Sequence, residues 1–201
     1  MYGADLMMDY FAKEQSIRQF VSDVSDQHHP MTGAVIAVAA AQAAALGEAC
    51  MQISLDNQVD KLNWQDVTRR IERIAGVEEK LLEWGELEAR ATTSLTALWK
   101  GEEGTKNQQF WCESAAEISR LAINAAILLQ DFRPLAFKTV RDDLEIALAF
   151  LVSMARTALL LLDSNLQIWH NSMLHQEFEP IQVELESQIN LITPVTRFSQ
   201  G

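Results

Sequence analysis

Positive charge is scarce in this chain. Sixteen Lys and Arg stand against 28 Asp and Glu, for a formal charge of −12 and a pI near 4.7. The few cations form no stripe, which excludes nucleic acid and an anionic membrane surface as partners. An anionic small ligand must therefore find its positive charge in a local pocket. Cysteine is also sparse: Cys50 and Cys112 lie in separate apolar-periodic stretches without metal-ligand spacing, and read as buried free thiols of a reducing cytoplasm. The opening MYGADLMMDYF has neither a basic region nor a continuous apolar run, so no signal peptide is expected. Uninterrupted apolar runs are lacking too. Residues 34–50 are broken by Gln42 and Glu48, and residues 144–162 by Glu145 and Arg156, short of the roughly 20 residues a membrane span needs. No nucleophile beside a base, no phosphate-cradling glycine loop and no metal cluster is present, so no metal is expected.

What the chain does have is helix. Its 201 residues, 48% hydrophobic, suffice for one domain over 1–201 with a sizeable core. No segment alternates with the two-residue period of a strand over a useful length. The expected fold is all-α, an up-and-down bundle of long antiparallel helices around a buried alanine-rich helix. That helix is PMTGAVIAVAAAQAAALGEACMQIS, residues 30–54, and starts at Thr32 or Gly33 because Pro30 is disfavoured inside a helix. Gly33, Ala37, Ala41, Ala45 and Ala49 recur every fourth residue and are expected to form one small-residue face.

Periodicity places the other elements. A short helix over 15–25 carries Ile17, Phe20, Val21 and Val24 on one side, with Ser16 as its N-cap. Residues 55–63 read as a polar turn. A long helix follows over 64–100, with Trp64, Val67, Ile71, Ile74, Val77, Leu81 and Trp84 among its inward positions. GEEGTKN breaks it at 101–107. A helix over 108–131 turns Trp111, Ala115, Ile118, Leu121, Ala122, Ala125 and Leu128 inward, and Pro134 limits it. The helix over 139–170 carries the nearly continuous apolar band 144–162 and should be central. A last helix covers 177–191. His28 and His29, in the connector before Pro30, lack a third ligand and read as solvent-exposed. His170 reads as a cation at a helix end and His175 as a surface residue.

The order SIRQF, a loop with Pro30 and Gly33, an alanine-rich helix ending in IS, and a later helix opening RDDLEIA and containing LLDSNL resembles the cyclodeaminase/cyclohydrolase family. This is the folate-processing domain of formiminotransferase-cyclodeaminase and its bacterial relatives. The resemblance implies an all-helical homodimer that binds a tetrahydrofolate derivative in one-carbon metabolism. Such enzymes release ammonia from formimino-tetrahydrofolate or hydrolyse methenyl-tetrahydrofolate.

Carried over residue by residue, the resemblance assigns Asp143 to catalysis and Pro30, Gly33, Ser54 and Asn165 to ligand binding. The acidic position of the third helix falls on Glu86 or Glu88. Several family positions are changed. The proline, glycine triplet and serine of the loop are here Pro30, Met31, Thr32, Gly33 and Ala34, and Asp56 and Asn57 replace a glycine-lysine. Met and Thr disfavour the positive φ angles that a glycine triplet permits. One asparagine of the fifth helix falls on Leu161, and Ala136 and Phe137 stand where a glycine-asparagine turn is expected.

Elementary geometry adds a constraint. Asp143 and Asn165 are 22 residues apart, which in one straight helix is about 33 Å along the axis. A single site using both requires a two-fold partner with its helix alongside, antiparallel. The plainer roles are Asp142 or Asp143 favouring a helix N-terminus and Asn165 satisfying a buried backbone group. Arg18, Lys61, Arg141 and Arg156 are the candidate cations for a folate tail. The alternative function is a non-catalytic homologue, a dimeric module that binds a protein or another small molecule.

Overall fold

The computed structural model describes residues 16–26, 31–58, 64–98 and 103–193. His28, His29, Pro30 and Lys61 lie outside them. Six helices make up the described chain: α1 Ile17–Asp26, α2 Thr32–Gln58, α3 Trp64–Leu98, α4 Glu103–Phe132, α5 Arg141–Trp169 and α6 Ser172–Asn190. Two 3-10 turns, Arg133–Leu135 and Lys138–Val140, join α4 to α5. No strand occurs among the described residues, as the missing alternation predicts.

The core is an up-and-down arrangement of α2 to α5. The alanine-rich α2 packs chiefly on α3 and α5, α4 packs on α5 and α3, and α6 lies across α4 and α5. All seven positions predicted to face inward on α4 are buried, from Trp111 to Leu128. Small residues on α2 let its neighbours approach. Gly47 is tight against Leu129 of α4, and Gly85 of α3 lies against Ala37 and Val38.

The small-residue face differs from the predicted row. Gly33, Ala37 and Ala41 are buried, but Ala45 is half-buried and Ala49 exposed. Residues four apart advance 400°, so such a row winds 40° around the helix at each step. The buried face continues through Ala40, Ala43, Ala44, Gly47 and Cys50 instead. Trp64 also departs from expectation, standing 53% exposed at the first position of α3.

Helix ends follow local hydrogen bonding. Ser16 caps α1 as predicted, accepting the Gln19 N–H at 3.2 Å. The helix α2 runs past Ser54 to Gln58, through residues predicted to turn. No Gly or Pro interrupts that stretch, the Gln52 amide donates to Asp56 at 3.0 Å, and that of Asn57 donates to the Ile53 carbonyl at 2.7 Å. Likewise α4 starts at Glu103, five residues before the predicted start, because Gly104 in a first turn weakens a helix without stopping it. At the other junction α5 begins at Arg141, after the second 3-10 turn, and ends where His170 takes a left-handed φ of 44°. Asn171 then caps α6, accepting the Met173 N–H at 3.1 Å, so α6 begins five residues before the predicted 177.

Two helical stretches, Thr32–Asn57 and Lys138–Trp169, are long and apolar enough to cross a membrane by length and composition, although the interrupted runs predict otherwise. In the fold they are walls of the core, with 56% and 44% of their most apolar windows buried against protein.

Candidate functional site

The helices α2 and α5 run antiparallel, and this separates the sequence-predicted site residues into two groups. Near the start of α2, Gly33 lies directly against the carboxyl of Glu88 on α3. Glu88 is 2% exposed and hydrogen-bonds the hydroxyl of Ser114 on α4. One turn earlier on α4, the Trp111 carbonyl lies 3.3 Å from that hydroxyl and accepts the side-chain amide of Asn165 at 3.1 Å. Polar groups thus run from Gly33 to Asn165 through four helices.

Burial pushes the Glu88 carboxyl up to about 7, against the smaller opposing effect of the Ser114 hydroxyl. In its neutral form Glu88 can donate to Ser114, whose hydroxyl then donates its hydrogen bond to the Trp111 carbonyl. Ionised, it accepts from Ser114 instead. The chemistry available here is holding and handing over one proton near neutral pH. Of the two acidic candidates on α3, Glu86 is the other kind of residue: it forms an ion pair with Arg90 at 2.5 Å across one helical turn. Glu86 is itself buried, at 9% exposure, and the (i, i+4) arginine, whose own side chain is half exposed, was the signal in the sequence that its charge is paired within α3. Ser114 was missed, since a serine within an apolar helical pattern carries no motif.

The second group lies at the opposite end. The Ser54 hydroxyl, fully buried, donates to the Cys50 carbonyl at 2.7 Å and accepts the Phe137 N–H at 2.9 Å. This ties the end of α2 to the loop before α5. Asp143 stands exposed in the first turn of α5, close enough to Cys50 for its charge to help burial raise that thiol to about 11. Cys112 is likewise buried and raised to about 12, chiefly by burial. Neither thiol is a nucleophile at neutral pH. Asp142 and Asp143 place negative charge in the first turn of α5, whose N-cap position is Val140 and supplies no side-chain cap.

The two groups do not meet within one chain. Asn165 sits 22 residues beyond Asp143 on α5, about 33 Å away along the axis. Among the described residues no cluster of three or more His, Cys, Asp or Glu is placed to hold a metal. His170 ends α5, and His175 bridges the Glu179 carboxylate at 2.7 Å and the Leu166 carbonyl at 3.1 Å.

The formiminotransferase-cyclodeaminase family model matches residues 16–180 of this sequence. The chain belongs to that family. The fold agrees: formiminotetrahydrofolate cyclodeaminase from Thermotoga maritima superposes with a TM-score of 0.77, covering 89% of this chain and 92% of that one at 20% identity. At that identity the likeness carries the architecture alone. No curated protein matches the sequence. The matched segment includes Gly33, Ser54, Glu88, Ser114, Asp143 and Asn165.

Proposed function

We propose that this chain is a homodimeric, cytoplasmic folate enzyme of one domain. It acts on a one-carbon-substituted tetrahydrofolate, as a cyclodeaminase or a methenyl-tetrahydrofolate cyclohydrolase. The observation that carries the reading is the partition of the polar residues into two half-sites at opposite ends of the α2–α5 pair. Two copies set antiparallel along these helices bring the Gly33–Glu88–Asn165 end of one against the Ser54–Asp143 end of the other, giving two composite sites.

The surface between the half-sites supports this arrangement. Along α2, Val35, Ala39, Gln42, Leu46, Ala49 and Ile53 form a strip at alternating spacings of four and three, with no charged residue. Val35, Leu46 and Ile53 are 37–39% exposed within the single chain. The neighbouring α5 carries a second such strip, in which Ile146, Phe150, Leu160 and Ile168 are 48–67% exposed, interspersed with Ser153, Thr157 and Ser164. In a chain with 22% charged residues, two uncharged strips on adjacent helices suit a second protein surface.

In the composite site, Asp143 is the exposed carboxylate that takes the proton when water attacks the methenyl carbon or when ammonia leaves. Glu88 and Ser114 form a buried proton store behind it. Gly33 and Asn165 stand on the ligand side at one end, and Ser54 acts at the other through the loop it holds at Phe137.

The second reading is a homologue that has kept the bundle and lost turnover. The sealed position of Glu88 and Ser114, 2% and 0% exposed, favours it, as do the altered residues Met31 and Thr32. Calorimetry with the stable 5-formyl-tetrahydrofolate tests folate recognition first. Saturable binding that weakens in Asp143→Ala and Asn165→Ala supports the site. No binding up to about 1 mM, weaker than roughly −4 kcal/mol, removes folate as the ligand. Loss of the methenyl chromophore then separates an active enzyme from a silent one.

A further inference from the structure

A cavity of about 400 Å³ opens where the two 3-10 turns meet the start of α5. Its walls include Arg133, Pro134, Ala136, Arg141, Leu144 and Glu145. The two guanidinium groups there differ in what they have left to give. Arg133 is committed: it grips Glu145 with two bonds, 2.6 and 2.8 Å, and donates a third to the Thr193 carbonyl at 2.6 Å. That fork neutralises Glu145, the one carboxylate among the described residues of the cavity wall.

Arg141 is exposed and in no ion pair among the described residues. It spends its Nε on the Ala136 carbonyl at 3.2 Å, which fixes the plane of the guanidinium and leaves the edge formed by its two Nη groups. That edge matches a carboxylate in a bidentate pair. Helical spacing keeps competing charge away. Leu144 and Glu145, three and four residues on, share the face of Arg141, whereas Asp142 and Asp143 project 100° and 200° around the axis. Beside the cation, Pro134, Ala136 and Leu144 offer an apolar wall.

We infer that this cavity is the subsite for a carboxylate at the far end of the ligand, with Arg141 as its partner; on the folate reading above, that group is the glutamyl tail. The ligand's middle then passes the exposed Pro134 and rounds the first turn of α5, so that its reacting end comes to Asp143 on the other side of that helix. In a protein of charge −12, this is how an anionic tail is accepted without a basic surface.

The test compares calorimetric binding of 5-formyl-tetrahydrofolate with 5-formyl-tetrahydropteroyl amide, which ends in a neutral amide in place of the glutamyl carboxylates, to the full chain and to Arg141→Gln and Arg141→Lys. The wild type is expected to prefer the glutamyl ligand by about tenfold or more, as one charge-assisted pair supplies. Arg141→Gln should abolish the preference and leave binding of the pteroyl amide within about twofold, with Arg141→Lys falling between. Equal binding of both ligands by the wild type, or an undiminished preference in Arg141→Gln, overturns the subsite and leaves the folate reading standing. If the wild type binds neither ligand, both fall together.

Discussion

Gly33 of α2 and Glu88 of α3 occupy touching positions: a methyl group on Gly33 would run into the carboxyl carbon and both oxygens of Glu88. Both residues are buried, so the carboxyl cannot swing into water to make room. Gly33→Ala is expected to lower stability by about 1 to 3 kcal/mol, as overpacking in a dense interior does. Shortening the neighbour in Gly33→Ala/Glu88→Ala should recover part of it. Urea unfolding of the two single variants and the double variant measures this coupling, and additive losses would mean the two do not touch.

Glu88 also makes stability depend on pH. Its carboxyl holds its proton up to about 7 in the folded protein, against an ordinary value of 4.5. Between those values the folded chain keeps a proton that the unfolded chain has released, so stability falls as pH rises from about 4.5 to 7 and then levels off. The full loss is about 3 kcal/mol at most. Glu88→Gln, which still accepts from Ser114, should match the wild type at pH 5 and exceed it at pH 8. Parallel melting curves across that range would place the carboxyl in water.

At the other end of α2, Ser54 holds the loop before α5 through the Phe137 N–H. Ser54→Ala leaves that half-buried donor without its partner, at a cost of about 1 to 2 kcal/mol. Faster hydrogen exchange at Phe137 should accompany the loss. Unchanged exchange there would mean that the loop is held by other contacts.

The helices were legible in the sequence because apolar periodicity dominates each of them. The seven inward positions of α4, from Trp111 to Leu128, are buried as their spacing predicts. Their ends were less legible. Polar residues such as Asp56 and Asn57 close side-chain bonds inside a helix as readily as in a turn, and Asn171 caps α6 from the position right after the end of α5. Family resemblance brought Gly33, Ser54, Asp143 and Asn165 to notice, and helix geometry set Asp143 and Asn165 about 33 Å apart, but neither showed the joining of Gly33 to one end and Ser54 to the other. That joining follows from the antiparallel course of α2 and α5, a tertiary fact. Ser114 had no signal at all, since only the approach of Glu88 from another helix gives it a role.

Phe150 on α5 is 55% exposed within one chain, so a charge there should not disturb the monomer. In the proposed dimer it lies in the uncharged strip, where Phe150→Asp buries an unpaired carboxylate. Sedimentation is expected to give twice the chain mass of 22.6 kDa for the wild type and a single chain for the variant, with no loss of helix by circular dichroism. A wild-type monomer, or an unaffected Phe150→Asp dimer, would move the interface elsewhere.

Shared sites make the sharpest claim, and subunit mixing reads it directly. Asn165→Ala and Asp143→Ala disable opposite ends of the composite site, so each variant alone should bind no 5-formyl-tetrahydrofolate. Unfolded together in equal amounts and refolded, half of the dimers should be mixed, each with one site built from two intact ends. Calorimetry of the mixture is then expected to count about one ligand per four chains. A mixture that binds no more than either variant alone would contradict sites shared between two chains.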